Sequence, residues 1–309
     1  MKGQAAILTA AGIGATLIFL LGSNWVGLLG GFLNFLTPVP AAWLSMRYGM
    51  RSGLVVVIVT SLLLWQLSAM YALLAYVGLF GIGSLLLPYS LRRDTPWDRS
   101  LILAVFGSAL ASAAMVAALI VVSGTSLPEL VDKAIEVQTS EAMRIYRDIG
   151  ITGEQLQEME ASLNGLAVQI RDNIYGLYLG TLLGIHALCL LCLQLFRAGH
   201  YRIVGGPFIQ WRLPQKLIWG LIAGGFLAVI PVAGAKGAGW AILSVLLPLY
   251  FLQGLAVISF LMQRNNTSLL VKGLFYALTV ILYPLSLIVT SVGVFDLWID
   301  FRRPRQKNN

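Results

Sequence analysis

The residues with the most distinctive chemistry in this chain are His186, Cys189 and Cys192, which recur at every third position of one apolar run. Imidazole and thiolate groups are ligands for soft transition metals, so the spacing raises the possibility of a metal site. On a helix, however, the three side chains spread over roughly 120° of the circumference, and no other run supplies an obvious fourth ligand. We therefore favour buried small residues with one hydrogen-bonded histidine, and we predict no metal and no other cofactor.

The acidic residues provide no catalytic set either. Asp296 and Asp300 lie one helical turn apart at the exit of the last apolar run. Charge pairing at a membrane interface, with the adjacent Arg302 and Arg303, explains them. The sequence contains no Walker loop and no dinucleotide-binding loop. It also lacks a convincing set for intramembrane proteolysis, so we predict that the chain is not an enzyme and hydrolyses no ATP itself.

The overall composition places these residues in a membrane. Of the 309 residues, 58% are apolar and 11% are charged, whereas about a quarter of a typical soluble domain is charged. This balance excludes an ordinary soluble enzyme, a disordered chain and a nucleic-acid-binding domain. We expect an all-α, polytopic membrane helix bundle whose main partner is the lipid bilayer.

Nine apolar runs are candidates for membrane spans, since a crossing helix needs about 20 residues. They cover residues 5–22, 25–46, 53–68, 71–91, 101–123, 174–196, 217–234, 239–262 and 273–295. The bases fall in alternate loops, which places the N-terminus in the cytoplasm by the positive-inside rule. Nine full spans would put the basic tail outside. We therefore predict eight full spans and one irregular segment: either the last run folds back at Pro284, or another run does not cross.

The chain divides into five predicted parts. They are membrane helices 1–5 (1–123), an acidic extracytoplasmic insert (124–173), membrane helix 6 (174–200), a basic cytoplasmic loop (201–216) and a C-terminal membrane unit with a basic tail (217–309). The formal charge is −5 for the insert and +13 for the rest of the chain. We interpret this asymmetry as membrane topology rather than as attraction to an acidic partner.

The acidic insert has the pattern of a helical hairpin. Ser126 with Glu129, and Thr152 with Gln155, fit the spacing of capping boxes at two helix starts. Both halves carry an apolar stripe at helical spacing, and Gly150 separates them. The hairpin is either a solvated extension of the membrane body or a lid or docking arm.

Two features of the first apolar runs concern helix contacts. Small residues recur at every fourth position of the first run, at Ala6, Ala10 and Gly14. This spacing lets another helix approach closely, and that helix belongs either to this chain or to a separate membrane partner. In the second run, Pro38 and Pro40 interrupt the helix shortly after Asn34. The break is either a packing kink or a broken-helix binding site of the kind found in transporters.

Residues 5–196 resemble the S component of energy-coupling-factor transporters, a six-helix solute-binding subunit. The resemblance rests on Ala6-x-x-x-Ala10, Pro38-x-Pro40 and Arg47-Tyr48-Gly49-x-x-x-Gly53. It implies that the alanine stripe contacts a transmembrane coupling subunit, which works with separate ATPases, and that the chain binds a small solute. We expect that solute near polar or aromatic residues at the outer ends of spans: Asn24, Trp25, Asn34, Tyr175 and Tyr178.

The whole chain also resembles the YybS-like family of uncharacterised bacterial membrane proteins. The shared motifs are Phe208-x-x-Trp211-x-x-Pro214, Gln253-Gly254-Leu255 and Asp296-x-x-x-Asp300-Phe301-Arg302. The resemblance implies a multi-pass protein of the bacterial cytoplasmic membrane. Our leading hypothesis is an S-component-like subunit for uptake of a small solute. The alternative is a membrane anchor or scaffold that recruits partners through its external hairpin or its basic cytoplasmic face.

Overall fold

The structure is a computed structural model in which the chain forms two compact units, Met1–Ile203 and Val204–Asn309. It describes residues 2–22, 33–67, 70–197, 199–232 and 234–302. All regular secondary structure in these ranges is helical. The predicted all-α class is therefore confirmed.

The first unit is built from eight described α-helices. They are α1 (Lys2–Leu21), α2 (Val39–Tyr48), α3 (Met50–Leu67), α4 (Met70–Tyr76), α5 (Ile82–Leu91), α6 (Trp97–Ser123), α7 (Leu127–Asp148) and α8 (Gly153–Leu195). A π-helical segment, Val77–Gly81, joins α4 to α5. The hydrophobic core of the unit lies mainly among α2, α3 and the α4–α5 element, around Leu44, Val56 and Tyr76.

Eight of the described apolar helices are candidates for membrane contact. Five are long and apolar enough to cross a bilayer: Gly3–Leu21, Ala72–Leu91, Trp97–Ser123, Gly153–Leu195 and Ala235–Arg264. Three shorter apolar helices are Met50–Gln66, Leu217–Val229 and Pro284–Ile299. Many of their large apolar side chains face outward, which in a membrane places them against lipid. The predicted polytopic membrane bundle is confirmed.

The second apolar run is interrupted, as its prolines predict. The described part begins with tight turns, in which the Thr37 amide donates to the Asn34 carbonyl at 3.1 Å. Helix α2 starts only at Val39, with Pro38 at its N-cap and Pro40 in its first turn. Proline is tolerated there because the first-turn amides have no partner inside the helix.

The acidic insert forms the predicted hairpin, in which α7 packs against the first part of α8. An ion pair between Asp132 Oδ1 and Arg171 Nε, 2.7 Å apart, joins the two arms far from the turn. Helix α8 then continues into the sixth apolar run, and its non-helical backbone residue is Asn173 (φ −127°, ψ 19°). The kink at Asn173, between the hairpin arm and the apolar part of α8, coincides with the sequence boundary at 173/174.

The two predicted capping boxes have different outcomes. Ser126 Oγ accepts from the Glu129 amide, and Glu129 Oε2 accepts from the Ser126 amide at 3.0 Å, so the first box is confirmed. The second is wrong: Thr152 is the N-cap of α8, but its side chain makes no capping hydrogen bond. Gly153 follows with φ 64°, and this left-handed residue takes the backbone out of the usual capping geometry.

This difference gives a paired prediction. We expect Ser126→Ala to destabilise the start of α7 by about 1 kcal/mol, because its first-turn amides lose a partner. Thr152→Ala is the matched control and should leave the start of α8 unchanged. Hydrogen–deuterium exchange of the full chain measures both helix starts. Equal acceleration of exchange in the two variants would contradict the assignment.

The second unit is organised around one long helix. Its described helices are α9 (Leu217–Val229), α10 (Ala235–Arg264), α11 (Leu269–Ile281) and α12 (Tyr283–Ile299). Both α9 and α12 pack along α10. A Cβ at Gly254 would overlap the carbonyl oxygen of Val289, and one at Gly293 would overlap that of Tyr250. These glycines therefore allow the α10 and α12 backbones to approach closely.

The last apolar run is broken at Leu282 (φ −95°, ψ 102°), between α11 and α12. Gly254 faces Val289 and Gly293 faces Tyr250, so α10 and α12 run antiparallel. If α12 continued straight beyond its first residue, Pro284 would lie opposite Ser259. Instead, the hydroxyls of Ser259 and Tyr276 share a hydrogen bond of 2.8 Å. Helix α11 therefore leaves the axis of α12. The break lies two residues before Pro284, where one of the two predicted alternatives has the last run fold back; the number of full spans stays a prediction.

Candidate functional site

Buried and half-buried polar side chains of the first unit lie near the π-helical segment Val77–Gly81. A π turn carries one residue more than an α turn and is frequent at functional sites. Glycines in and after it bring the neighbouring helices into close contact. The contacts are Gly78 with Ser112 of α6, Gly81 with Val57 of α3, and Gly83 with His186 of α8. We call Ser108, Ser112, Tyr178 and His186, with these glycines, the π seam.

A short hydrogen-bond chain runs through the π seam. The Tyr178 hydroxyl donates to Ser112 Oγ at 2.6 Å, and the Ser112 hydroxyl donates to the Ser108 carbonyl at 2.8 Å. The hydroxyl of Ser108 is buried and has no partner in the part of the chain that the structure describes. A buried hydroxyl without a partner costs roughly 1–3 kcal/mol. Ser108 is therefore a position at which a polar partner would be stabilising.

His186 occupies the seam two turns further along α8, fully buried. Its Nδ1 lies 2.7 Å from the Leu182 carbonyl oxygen, so Nδ1 carries the proton and donates it. This leaves Nε2 as an acceptor that, within the described ranges, has no hydrogen-bond partner. The same edge of the ring packs on Gly83. An ionisable residue at this depth in a membrane bundle is expected to be functional.

The second unit contains a buried ion pair. Arg302 Nη2 donates to Asp296 Oδ2 at 2.9 Å, and Gln253 Nε2 donates to the same oxygen at 3.4 Å. The exposed fractions of Gln253, Asp296 and Arg302 are 1%, 1% and 8%. Burial lowers the pKa of Arg302, while the Asp296 carboxylate opposes this by favouring the charged guanidinium.

The same three residues hold the loop at 208–214. Arg302 Nη1 donates to the carbonyls of Ile209 and Trp211, both at 2.9 Å. The Leu213 amide donates to Gln253 Oε1 at 3.0 Å. We call Gln253, Asp296 and Arg302 the loop clamp. The three motifs of the YybS-like resemblance therefore meet in one network, which positions a loop rather than assembling reacting groups.

Comparison with known proteins assigns most of the chain to one family. Residues 14–297 match the model of a family described as predicted membrane protein (DUF2232). The chain belongs to the DUF2232 family. The matched range contains the π seam together with Gln253 and Asp296 of the loop clamp. No curated protein and no solved structure matches the chain, so no functional residue is transferred from a relative.

Of the five residues expected to line a solute pocket in this DUF2232 protein, Tyr178 lies in the π seam. Tyr175, one turn earlier on α8, is 65% exposed. Asn34 is half-buried in the turns that precede α2. Asn24 and Trp25 lie outside the described residues.

The small-residue stripe of α1 faces away from the rest of the first unit. Ala6 and Ala10 are exposed, and a Cβ at Gly14 would meet no heavy atom within 4 Å. The opposite face packs through Gly12, against Leu44 of α2. Within the described part of the DUF2232 chain, intrachain packing therefore does not account for the stripe.

The His186, Cys189 and Cys192 trio lies inside the first unit, and both cysteines are buried free thiols. Nowhere in the described ranges are three His, Cys, Asp or Glu residues placed to hold a metal ion.

Sequence reasoning missed Ser108 and Ser112 in this DUF2232 protein. Their spacing of four residues in the apolar run of α6 is the signal that marks one face of that helix.

Proposed function

We propose that this DUF2232 protein binds a small, uncharged polar solute within the membrane, as an S-component-like subunit without an ATPase or enzymatic activity of its own. The π seam carries the proposal. It places the buried, unpartnered Ser108 hydroxyl in an apolar helical unit, one turn of α6 from the Ser112 that pairs with Tyr178. Such groups are costly in a membrane, and hydrogen bonds to a solute would offset that cost. The seam has no carboxylate or basic side chain of fixed charge, which favours a neutral ligand.

The proposal includes a separate coupling subunit that works with ATPases. Its support is the outward-facing stripe of Ala6, Ala10 and Gly14, which leaves room for a partner helix. The S-component resemblance covers the first unit, and the YybS-like resemblance extends over the second. In this scheme the N-terminus is cytoplasmic, the protein lies in the bacterial cytoplasmic membrane, and neither a cofactor nor a nucleic acid takes part.

Solute binding is tested by comparing two tyrosines of α8. We expect the full chain, isolated in lipid nanodiscs, to carry a small molecule that native mass spectrometry detects. Tyr178→Phe should reduce its affinity about tenfold, because the seam loses one of the hydroxyls proposed to hydrogen-bond the solute. Tyr175→Phe removes a hydroxyl one turn away on an exposed side chain and should leave the affinity unchanged. Equal occupancy in both variants, or no small molecule in the unmodified chain, would overturn the assignment.

A membrane anchor or scaffold is the second candidate, and the hairpin is the feature that favours it. The apolar side chains of Ile145, Ile149 and Leu166 are 51%, 67% and 53% exposed on its surface. A partner protein that covers them would remove this apolar area from water. Alternatively, the basic cytoplasmic face would recruit the partner. A protein bound in constant ratio, with no small molecule in the π seam, would favour the scaffold.

A further inference from the structure

Arginine and aromatic side chains converge where α2, α5 and α8 end. The Trp43 indole donates to the Phe196 carbonyl at the end of α8, at 3.4 Å. Arg92, just after α5, donates to the carbonyls of Ser45 and Met46 near the end of α2. The three helix ends therefore lie together. We call this surface the arginine face; its cations are Arg47, Arg51, Arg92, Arg93 and Arg197.

Two of these guanidinium groups are held on aromatic rings. The Arg47 guanidinium carbon lies 5.1 Å from the ring centroid of Trp43 and 5.4 Å from that of Tyr48. The corresponding distance from Arg93 to Tyr89 is 4.3 Å. Stacking fixes a guanidinium plane while its N–H edges stay available for an acceptor. The cations are therefore positioned in advance for an anion.

Arg47 and Arg197 act on the same point of the surface. The Tyr201 hydroxyl donates to the Leu193 carbonyl at 2.6 Å, which fixes the phenol beside the end of α8. Burial raises the pKa of Tyr201 to about 12, and the charges of Arg197 and Arg47 both oppose that rise. Trp43, on which Arg47 stacks, donates to the carbonyl of Phe196, the residue before Arg197, so the two cations lie near the same helix end.

Helix capping accounts for one of these arginines but not for the others. Arg92 binds two carbonyls at a helix C-terminus, where a cation is favourable. Arg47, Arg93 and Arg197 make no such hydrogen bond among the described residues, and no described carboxylate forms an ion pair with them. Among the residues that the structure describes, none of these three cations is therefore matched by an ion pair.

We propose that the arginine face binds the phosphate of an anionic phospholipid headgroup. The planar N–H edges of Arg47 and Arg197 suit the phosphate oxygens. A lipid fits better than a soluble phosphate because apolar side chains adjoin these cations: Leu191, Leu195 and Phe196 are 49%, 69% and 55% exposed at the end of α8. Acyl chains would cover these side chains while the headgroup meets the arginines.

The test uses the full chain in phosphatidylcholine nanodiscs with increasing amounts of phosphatidylglycerol, and native mass spectrometry counts the bound lipids. Arg47→Gln combined with Arg197→Gln is expected to weaken phosphatidylglycerol binding about 25-fold, since each arginine near an anionic headgroup contributes roughly fivefold. Arg197→Gln alone removes an exposed side chain without touching the stacked Arg47, and should weaken binding about fivefold.

The hairpin provides the matched control. Arg144→Gln combined with Arg147→Gln removes the same charge from exposed positions of α7 and should change the affinity less than twofold. Equal losses in the two double variants would overturn the proposal, as would unchanged binding in Arg197→Gln. Displacement of phosphatidylglycerol by inorganic phosphate would also overturn it, in favour of a soluble anion.

Discussion

Replacing Asp296 with Ala is expected to lower the free energy of unfolding of the second unit by about 3–5 kcal/mol, because Arg302 then stays buried without its counter-charge. Arg302 also binds the Ile209 and Trp211 carbonyls, so it cannot move to water without releasing the loop. Thermal unfolding of the full chain in detergent, followed by circular dichroism, measures the loss. Reversible unfolding in sodium dodecyl sulfate would give the same quantity as a free energy.

The neighbouring ion pair is the control for this prediction. Asp300 pairs with Arg212, and the two side chains are 25% and 49% exposed. Solvent screens such a pair, so Asp300→Ala should cost no more than about 1 kcal/mol. If Asp296→Ala and Asp300→Ala lose the same stability, the unpaired buried charge of Arg302 does not account for most of the loss in Asp296→Ala.

A double variant separates the ion pair from the loop it holds. Asp296→Leu with Arg302→Met removes both charges and fills similar volume, so most of the lost stability should return. The loop at 208–214 still loses the two hydrogen bonds from Arg302. We therefore expect recovered thermal stability but faster hydrogen exchange in this loop than in the unmodified chain.

Gly83→Ala is expected to destabilise the first unit by about 3 kcal/mol, at the upper end of ordinary overpacking. The added Cβ would overlap the imidazole of His186, and the ring has little freedom because Nδ1 is tied to the Leu182 carbonyl. Gly14→Ala is the control: its Cβ would meet open space, and alanine favours a helix over glycine by about 1 kcal/mol.

A second substitution tests the cause of that loss. His186→Ala removes the ring, so Gly83→Ala with His186→Ala should be more stable than Gly83→Ala alone. Thermal unfolding of the three variants in one detergent provides the comparison. No recovery in the double variant would show that Gly83 is required for some other reason.

The sequence was most informative where local chemistry decides the structure. Apolar runs define the membrane helices because a helix makes all of its backbone hydrogen bonds within one segment, as lipid requires. The Ser126 cap was predictable because its two partners are three residues apart. The Thr152 cap was not, because one left-handed glycine changes the geometry.

Features that depend on contacts between distant residues could not be predicted from local sequence patterns. Arg302 and Ile209, joined in the loop clamp, are 93 residues apart in the chain, so three separate motifs gave no sign that they would meet. Tyr178 was predicted from its polarity at a helix end, but its partner Ser112 was not, since it lies 66 residues away. The π turn depends on helix packing around glycines, which no local pattern specifies.

The bend at Asn173 separates a long hairpin arm of α8 from the shorter stretch that leads to Tyr178 of the π seam. The twenty residues before Asn173 form an arm about 30 Å long at 1.5 Å per residue. A rotation of about 10° at the bend therefore moves the Gly153 end by about 5 Å, while Tyr178, some 8 Å beyond the bend, would shift by little more than 1 Å if it rotated equally. Conversely, a force applied at the Gly153 end exerts a larger torque at residue 173 than the same force applied near Tyr178, because its lever arm is longer.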